Sequence, residues 1–277
     1  MDEKLLARIA DALERMAPAQ AAHADLEAHA AYMWDGSTAH AVADFAPKDY
    51  TLLAGIDEQK GRLLGNTRRH AEGLPAHDVL LWGARGTGKS ASVGAVVGHL
   101  QGEGADIALM QCSADHIESL PALFAVLRNT KRAFVVFLDD LGFDDASAGS
   151  DARVMRSLLD GGVSARPANV RLYVTSNRRH ILPRHLSEQD DPINTRDVVD
   201  DKMALSDRFG LSLGFHNIDQ DAYLAIVEGY ARHFGLSFDH ADAVQWATQR
   251  GSRSGRVAWQ YVTELAGREG KSLRASG

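Results

Sequence analysis

Val79-Leu80-Leu81-Trp82-Gly83-Ala84-Arg85-Gly86-Thr87-Gly88-Lys89-Ser90 is the stretch that decides how this chain is read. Its last eight residues fit G-x-x-x-x-G-K-[ST] at every fixed position. The apolar run Val79–Trp82 predicts a strand, and Gly88–Leu100 predicts a helix. The motif therefore sits between strand and helix, where its chemistry requires it to be. Phosphate oxygens need several donors aimed at one point. Glycines let successive backbone N–H groups converge, and a helix N-terminus adds positive potential. Gly83, Ala84, Arg85, Gly86, Thr87 and Gly88 would form the cradle. Lys89 would reach the β- and γ-phosphates, and the Ser90 hydroxyl would bind Mg²⁺. The plainer alternative is a glycine-rich turn carrying a surface lysine, and the strand–loop–helix context argues against it.

Fifty positions downstream, Phe134-Val135-Val136-Phe137-Leu138 runs into Asp139-Asp140. A strand that is apolar throughout is expected to be buried on both faces. Acids at its C-terminal end lie where open α/β sheets bind ligands. Asp139 is the candidate Mg²⁺ partner, because that ion keeps most of its waters and needs few protein carboxylates. Asp140 is the candidate that orients or deprotonates an attacking water. On their own these acids, with Asp144 and Asp145, could simply solvate a strand-to-loop turn. The phosphate loop upstream favours the functional reading.

Working outward, short apolar runs alternate with helical patterns. Strands are expected at Ile107–Gln111, Val170–Thr175 and Leu211–Phe215, and helices at Ile117–Arg128 and Asp151–Asp160. The alternation predicts an α/β fold, a parallel sheet covered by helices on both faces, over residues 47–217. After Asn217 three helices are expected: Asp219–Phe234, His240–Arg250 and Arg253–Gly267. They form a small helical lid over residues 218–277. Residues 1–46 are expected to be a helical extension. Leu5, Leu6, Ile9, Leu13 and Met16 recur at helical spacing, and an Ala/His-rich stretch follows to His29. Such an extension either packs as a hairpin on the main domain or serves as an arm for a partner. Residues 184–202 are polar and aperiodic, which reads as a long loop.

Composition bounds the function. Thirty basic against thirty-seven acidic residues give a net charge of −7, which argues against binding nucleic acid through bulk charge but not against a local basic stripe. The single cysteine, Cys112, excludes an internal disulfide and a multi-cysteine metal site. No apolar run is long enough to span a bilayer, and the N-terminus does not read as a signal peptide, so a cytoplasmic protein is expected.

The pairing of the phosphate loop with the acidic strand end resembles the AAA+ class of P-loop ATPases. In that class the second acid is more often Glu. Asp140 is one methylene shorter, as in some members resembling helicase loaders. The resemblance implies ATP as ligand and Mg²⁺ as cofactor. It places Asn177, in Thr175-Ser176-Asn177, at the sensor-1 position, helping to hold water against the γ-phosphate. It makes Arg208, in Leu205-Ser206-Asp207-Arg208-Phe209-Gly210, an arginine finger acting on ATP bound by a neighbouring subunit, and hence implies a homo-oligomer. It places a sensor-2 arginine at Arg256, with Arg253 second, behind a helix capped by Ser252 or Ser254. It sets Leu53 and Ile56 against adenine, with Asp57 capping the helix that follows. Arg178-Arg179-His180 reads as a solvated turn, a trans phosphate contact or a nucleic-acid contact. Strings at 80–90, 175–180, 205–211 and 251–257 are similar to a bacterial ATP-binding family catalogued as domain of unknown function family 815. The resemblance covers about Leu52 to Gly267.

Three functions compete. The first is an oligomeric ATPase that remodels or loads an unidentified protein or nucleic-acid client. The second is a nucleotide-gated binding module with little turnover. The third is a P-loop kinase for a small acceptor, to which a basic lid within Arg178–Arg196 would be suited; Asp140 and Asn177 argue against it, since they suit the activation of water.

Overall fold

The structure is a computed structural model that describes residues 22–141, 148–160, 166–177 and 207–273. Among these residues there are seven strands in one sheet: β1 (Ala31–Trp34), β2 (Ala39–Ala41), β3 (Val79–Gly83), β4 (Ile107–Cys112), β5 (Ala133–Leu138), β6 (Val170–Ser176) and β7 (Leu211–Phe215). Their order across the sheet is β2-β1-β4-β5-β6-β3-β7. Every pairing is parallel except that of β1 with β2. The helices are α1 (Asp57–Ala71), α2 (Lys89–Gly102), α3 (Leu120–Leu127), α4 (Ala148–Leu159), α5 (Gln220–Phe234), α6 (His240–Gln249) and α7 (Gly255–Arg268).

All six residues of β5 are buried, and their alternation splits them between two cores. Phe134, Val136 and Leu138 face the cluster under α3 and α4, built with Leu120, Leu123, Phe124, Leu127 and Met155. Ala133, Val135 and Phe137 face the opposite cluster under α1 and α2, built with Leu63, Val93, Val96, Val97 and Leu100. The period of two turns one apolar run into two dry faces, each needing a helical cover. Helix α1 is also fixed by polar bonds. Its buried Asn66 and Thr67 side chains both meet the Tyr173 hydroxyl, at 3.0 and 2.8 Å. A third core belongs to α5, α6 and α7, centred on Tyr223, Val227, Tyr261 and Val262.

The N-terminal segment differs from expectation. Residues 1–21 lie outside the described residues, but 22–46 do not form a helical hairpin. Ala31–Trp34 is a strand of the main sheet, parallel to β4, and Ala39–Ala41 closes the edge. The cause is tertiary. Tyr32 and Trp34 are buried, and the segment before them is tied down by Arg132, whose guanidinium donates to the carbonyls of Leu26 and His29 at 3.3 and 2.6 Å. Four strand residues carry too little periodicity to oppose the helical propensity of an alanine-rich run.

Elsewhere the departures are small. Ala114–Ser119 is a tight 3₁₀ segment, so α3 starts at Leu120, with a proline in its first turn. That position suits proline, whose missing N–H would be unpaired there in any case. Asp57 does not cap α1: Ile56 occupies the cap position, and the Asp57 carboxylate pairs with Lys60 at 2.9 Å. Asp144, Asp145, Arg178-Arg179-His180 and the loop 184–202 lie outside the described residues. No helix among the described residues is long and apolar enough to cross a membrane.

Candidate functional site

A cavity of about 510 Å³ opens at the C-terminal ends of β3, β5 and β6 and extends beneath α5 and α7. Its floor is the turn between β3 and α2. Gly83 has φ 131°, and a Cβ there would lie 1.9 Å from the Phe215 carbonyl oxygen, so only glycine lets the turn pass against β7. Gly88, at φ 100°, is the residue on which α2 starts. The α2 N-terminus therefore opens straight into the cavity, with its first N–H groups unpaired within the helix.

Lys89 is buried. Its ammonium donates to the carbonyls of Gly83 (2.9 Å) and Ala84 (2.8 Å) and to Asn177 Oδ1 (3.1 Å). Burial draws its pKa below the usual lysine range, opposed by the carboxylates of Asp140 and Asp139. The other Asn177 side-chain atom, Nδ2, donates to Asp140 Oδ1. Asp140 also has Arg85 within 3.9 Å. Asp139 Oδ1 accepts from the Ser90 hydroxyl at 2.6 Å, although 49 positions separate the two residues. Hydroxyl and carboxylate oxygens converging at a phosphate loop form the hard, sparse donor set that Mg²⁺ takes, so the residues present fit that ion.

The sequence analysis named Lys89, Ser90, Asp139, Asp140, Asn177 and Arg85, and the structure brings them to one cavity. Leu53 and Ile56, buried at 6% and 7% exposure, line it as well. Arg256 lines it too, and its backbone N–H donates to the Gly86 carbonyl at 3.3 Å, which ties α7 to the turn. Arg253 is not among the lining residues; it meets Gln220 at 3.5 Å. The buried Ser254, not Ser252, caps α7, accepting from the Val257 N–H. Arg208 is not brought to this cavity. It pairs with Asp160 at 2.5 Å, and that bond raises the guanidinium pKa.

Four participants escaped the sequence reading. Lys48, Tyr230 and Trp259 line the cavity from the side of α5, α7 and the segment before α1. The Lys48 ammonium sits 3.6 Å from the Trp259 ring centroid and 5.0 Å from that of Tyr230. Burial lowers its pKa. The two rings meet edge-on at 5.1 Å. No motif marks them, because they come from a connecting segment and two C-terminal helices. The fourth is Thr175, whose hydroxyl donates to Asp139 Oδ1 at 2.6 Å and accepts from the Asp140 N–H at 2.8 Å. It stands two positions before Asn177, and nothing local in the sequence marks its two bonds.

The sequence profile of the family described as "Protein of unknown function (DUF815)" matches residues 27–269. The chain belongs to this family. No curated protein matches it. Among solved structures, the DUF815 chain is similar to the Thermotoga maritima RuvB Holliday junction branch migration motor, with TM-score 0.50 at 16% identity over 82% of this chain and 68% of that one. A single-residue variant of the same RuvB gives TM-score 0.52 at 17% identity, with the same coverage. The Aeropyrum pernix ORC1 protein in complex with DNA matches with TM-score 0.50 at 16% identity, over 85% of this chain and 68% of that one. These likenesses establish the fold. This DUF815 member has the AAA+ P-loop architecture: a mostly parallel seven-stranded sheet between helices.

Proposed function

We propose that this protein binds ATP with Mg²⁺ and hydrolyses it, at the subunit interfaces of a homo-oligomer, to remodel or load a macromolecular partner. The observation that carries this reading is the meeting of Ser90 and Asp139 at 2.6 Å under the phosphate turn, with Lys89, Asn177 and Asp140 joined beside them. Ser90 and Asp139 would hold Mg²⁺, which supplies positive charge against that developing on the phosphate oxygens. The turn's N–H groups and Lys89 bind the triphosphate, and Lys89 exchanges its carbonyl partners for phosphate oxygens as it does so. Asn177 aims Asp140, whose carboxylate takes the proton from the attacking water. Arg256 reaches the same phosphates from α7, and Arg208 acts on the site of a neighbouring copy. Nucleic acid is one class of client to test, since one structural neighbour is titled a Holliday junction motor and another a complex with DNA.

Calorimetric titration with Mg²⁺ and a non-cleavable ATP analogue tests the binding, and phosphate release at rising protein concentration tests the assembly. Saturable heat, with specific activity that climbs with concentration, is expected. The absence of heat would overturn the reading.

One observation favours the second reading, a nucleotide-gated module that turns over slowly. Arg208 is held by Asp160 within its own chain, and Asp140 is held by Asn177. An isolated subunit would then bind ATP and scarcely cleave it. Binding with negligible phosphate release at every concentration would select this alternative.

A further inference from the structure

Thr175 is the penultimate residue of β6 and only 1% exposed. A buried threonine hydroxyl usually satisfies a nearby backbone group, and nothing further follows from it. Here both of its bonds go to the two acids of the cavity. It donates to the Asp139 carboxylate at 2.6 Å and accepts the Asp140 backbone N–H at 2.8 Å. The next N–H, that of Leu141, bonds the Thr175 carbonyl at 2.9 Å. The chain leaving β5 is thus pinned to Thr175 at three successive residues.

The pinning matters because of the backbone at Asp140. Among the described residues it is the one non-glycine residue in the left-handed region, with φ 56°. L-residues avoid that conformation unless their surroundings hold it. The Thr175 hydroxyl grips the N–H of that same residue, and Asn177, two positions further along, grips its carboxylate. A β-branched residue suits the task, since its χ1 is restricted and the hydroxyl stays aimed. On the other side, Asp139 Oδ1 receives both Thr175 and Ser90, so one oxygen is oriented by two donors.

We propose that Thr175 is a positioning residue whose single hydroxyl sets both the metal-side carboxylate of Asp139 and the strained backbone that aims Asp140. The inference rests on the reading of this cavity as an ATP-hydrolysing site. It predicts that losing one hydroxyl impairs metal affinity and turnover together, while triphosphate capture by the turn and Lys89 survives.

The test compares Thr175→Val, which keeps the shape and removes the hydroxyl, with Thr175→Ser, which keeps the hydroxyl, in the full chain. The measurements are Mn²⁺ affinity by EPR in the presence of non-cleavable ATP analogue, fluorescent-ATP affinity, kcat and KM, and thermal unfolding. Partners one step removed from a metal typically change affinity or activity about 10–100-fold, so Thr175→Val should lose about tenfold or more in both Mn²⁺ affinity and kcat. KM and nucleotide affinity should move less than about threefold, and Thr175→Ser should restore both losses. A Thr175→Val protein with wild-type kcat and Mn²⁺ affinity overturns the inference. So does one that loses nucleotide binding and metal binding in parallel with its melting temperature, which would mark a merely structural role. If Thr175→Val does not fold, Thr175→Ala takes its place against Thr175→Ser, with the same two outcomes. A wild-type protein that takes up no nucleotide overturns the parent reading, and this inference with it. Wild-type turnover beside an indifferent Thr175→Val overturns this inference alone.

Discussion

The two ends of the cavity are built on different plans. At the phosphate end, each group is fixed by backbone that the sheet defines: the turn after β3, the exit from β5 and the exit from β6. Lys89, Ser90, Asp139, Thr175, Asn177 and Asp140 form one connected hydrogen-bonded set, with most links between 2.6 and 3.1 Å. At the other, helical side, Lys48, Tyr230 and Trp259 meet through cation–π and edge-on ring contacts, brought together from a connecting segment and two C-terminal helices. Charge transfer at phosphorus needs donors placed to within tenths of an ångström, and hydrogen bonds to sheet ends provide that. Enclosing a flat base needs only complementary apolar surface, which many side chains can supply. The phosphate end should therefore fail sharply when a single atom changes, and the helical side should weaken by degrees.

Three substitutions at or near the phosphate chemistry should break this contrast if it is wrong. The largest effect is expected from Arg208→Ala, given the proposed action on a neighbouring copy: arginine fingers contribute about three to five powers of ten in turnover. ATP affinity should be unchanged, and the rise of specific activity with protein concentration should vanish. If the activity of Arg208→Ala matches wild type in a steady-state phosphate assay, the shared site is refuted. Next is Asp140→Asn, which keeps the shape and removes the base. General-base loss typically costs about two to four powers of ten, so turnover should fall that far while the variant still retains ATP in equilibrium dialysis. Third is Lys89→Ala. Hydrogen bonds to charged groups contribute about 1.5–3 kcal/mol each, so affinity for ATP and for inorganic tripolyphosphate should both fall roughly a hundredfold in calorimetry. Loss for only one of the two would move the phosphate site elsewhere.

The same contrast explains what could be read in the sequence. The turn at 83–90 was legible because converging N–H groups demand glycine at set intervals, and Lys89 and Ser90 follow at a fixed helical offset. Asp139 was legible because a fully apolar strand has to end, and its end opens on the cavity. Strand β1 was not: Ala31–Trp34 acquires its extended form from pairing with β4 and from Arg132, which bonds the His29 carbonyl from 103 positions away. Lys48 and Trp259 were hidden for the same reason, since 211 positions separate an ordinary lysine from an ordinary tryptophan and only the packing of the C-terminal helices makes them neighbours. Thr175 is the instructive intermediate. Its position at a strand end was visible, but its two bonds depend on the path of the β5 exit, which no local pattern encodes.

The smallest expected effect sharpens the comparison at the helical side. Lys48 lies over the Trp259 ring at a distance where a partly desolvated cation–π pair contributes about 1–2 kcal/mol. If that end receives the base, a base edge presenting acceptors would draw the ammonium while the rings supply stacking surface. Trp259→Ala should then weaken ATP by about tenfold, a loss of stacking plus one cation–π contact. Lys48→Met keeps the stem and removes the charge, and should weaken ATP only about threefold to tenfold. Neither should change the affinity for inorganic tripolyphosphate, which touches only the other end. The pair should also be non-additive: Lys48→Met loses less in the Trp259→Ala background than in the wild type, because the cation–π contact between the two is already gone there. Calorimetry with the two ligands on the four proteins checks this directly. Equal losses for ATP and tripolyphosphate would mean that the lid holds the phosphate turn in shape rather than holding a base, and the two ends would then be one mechanical unit.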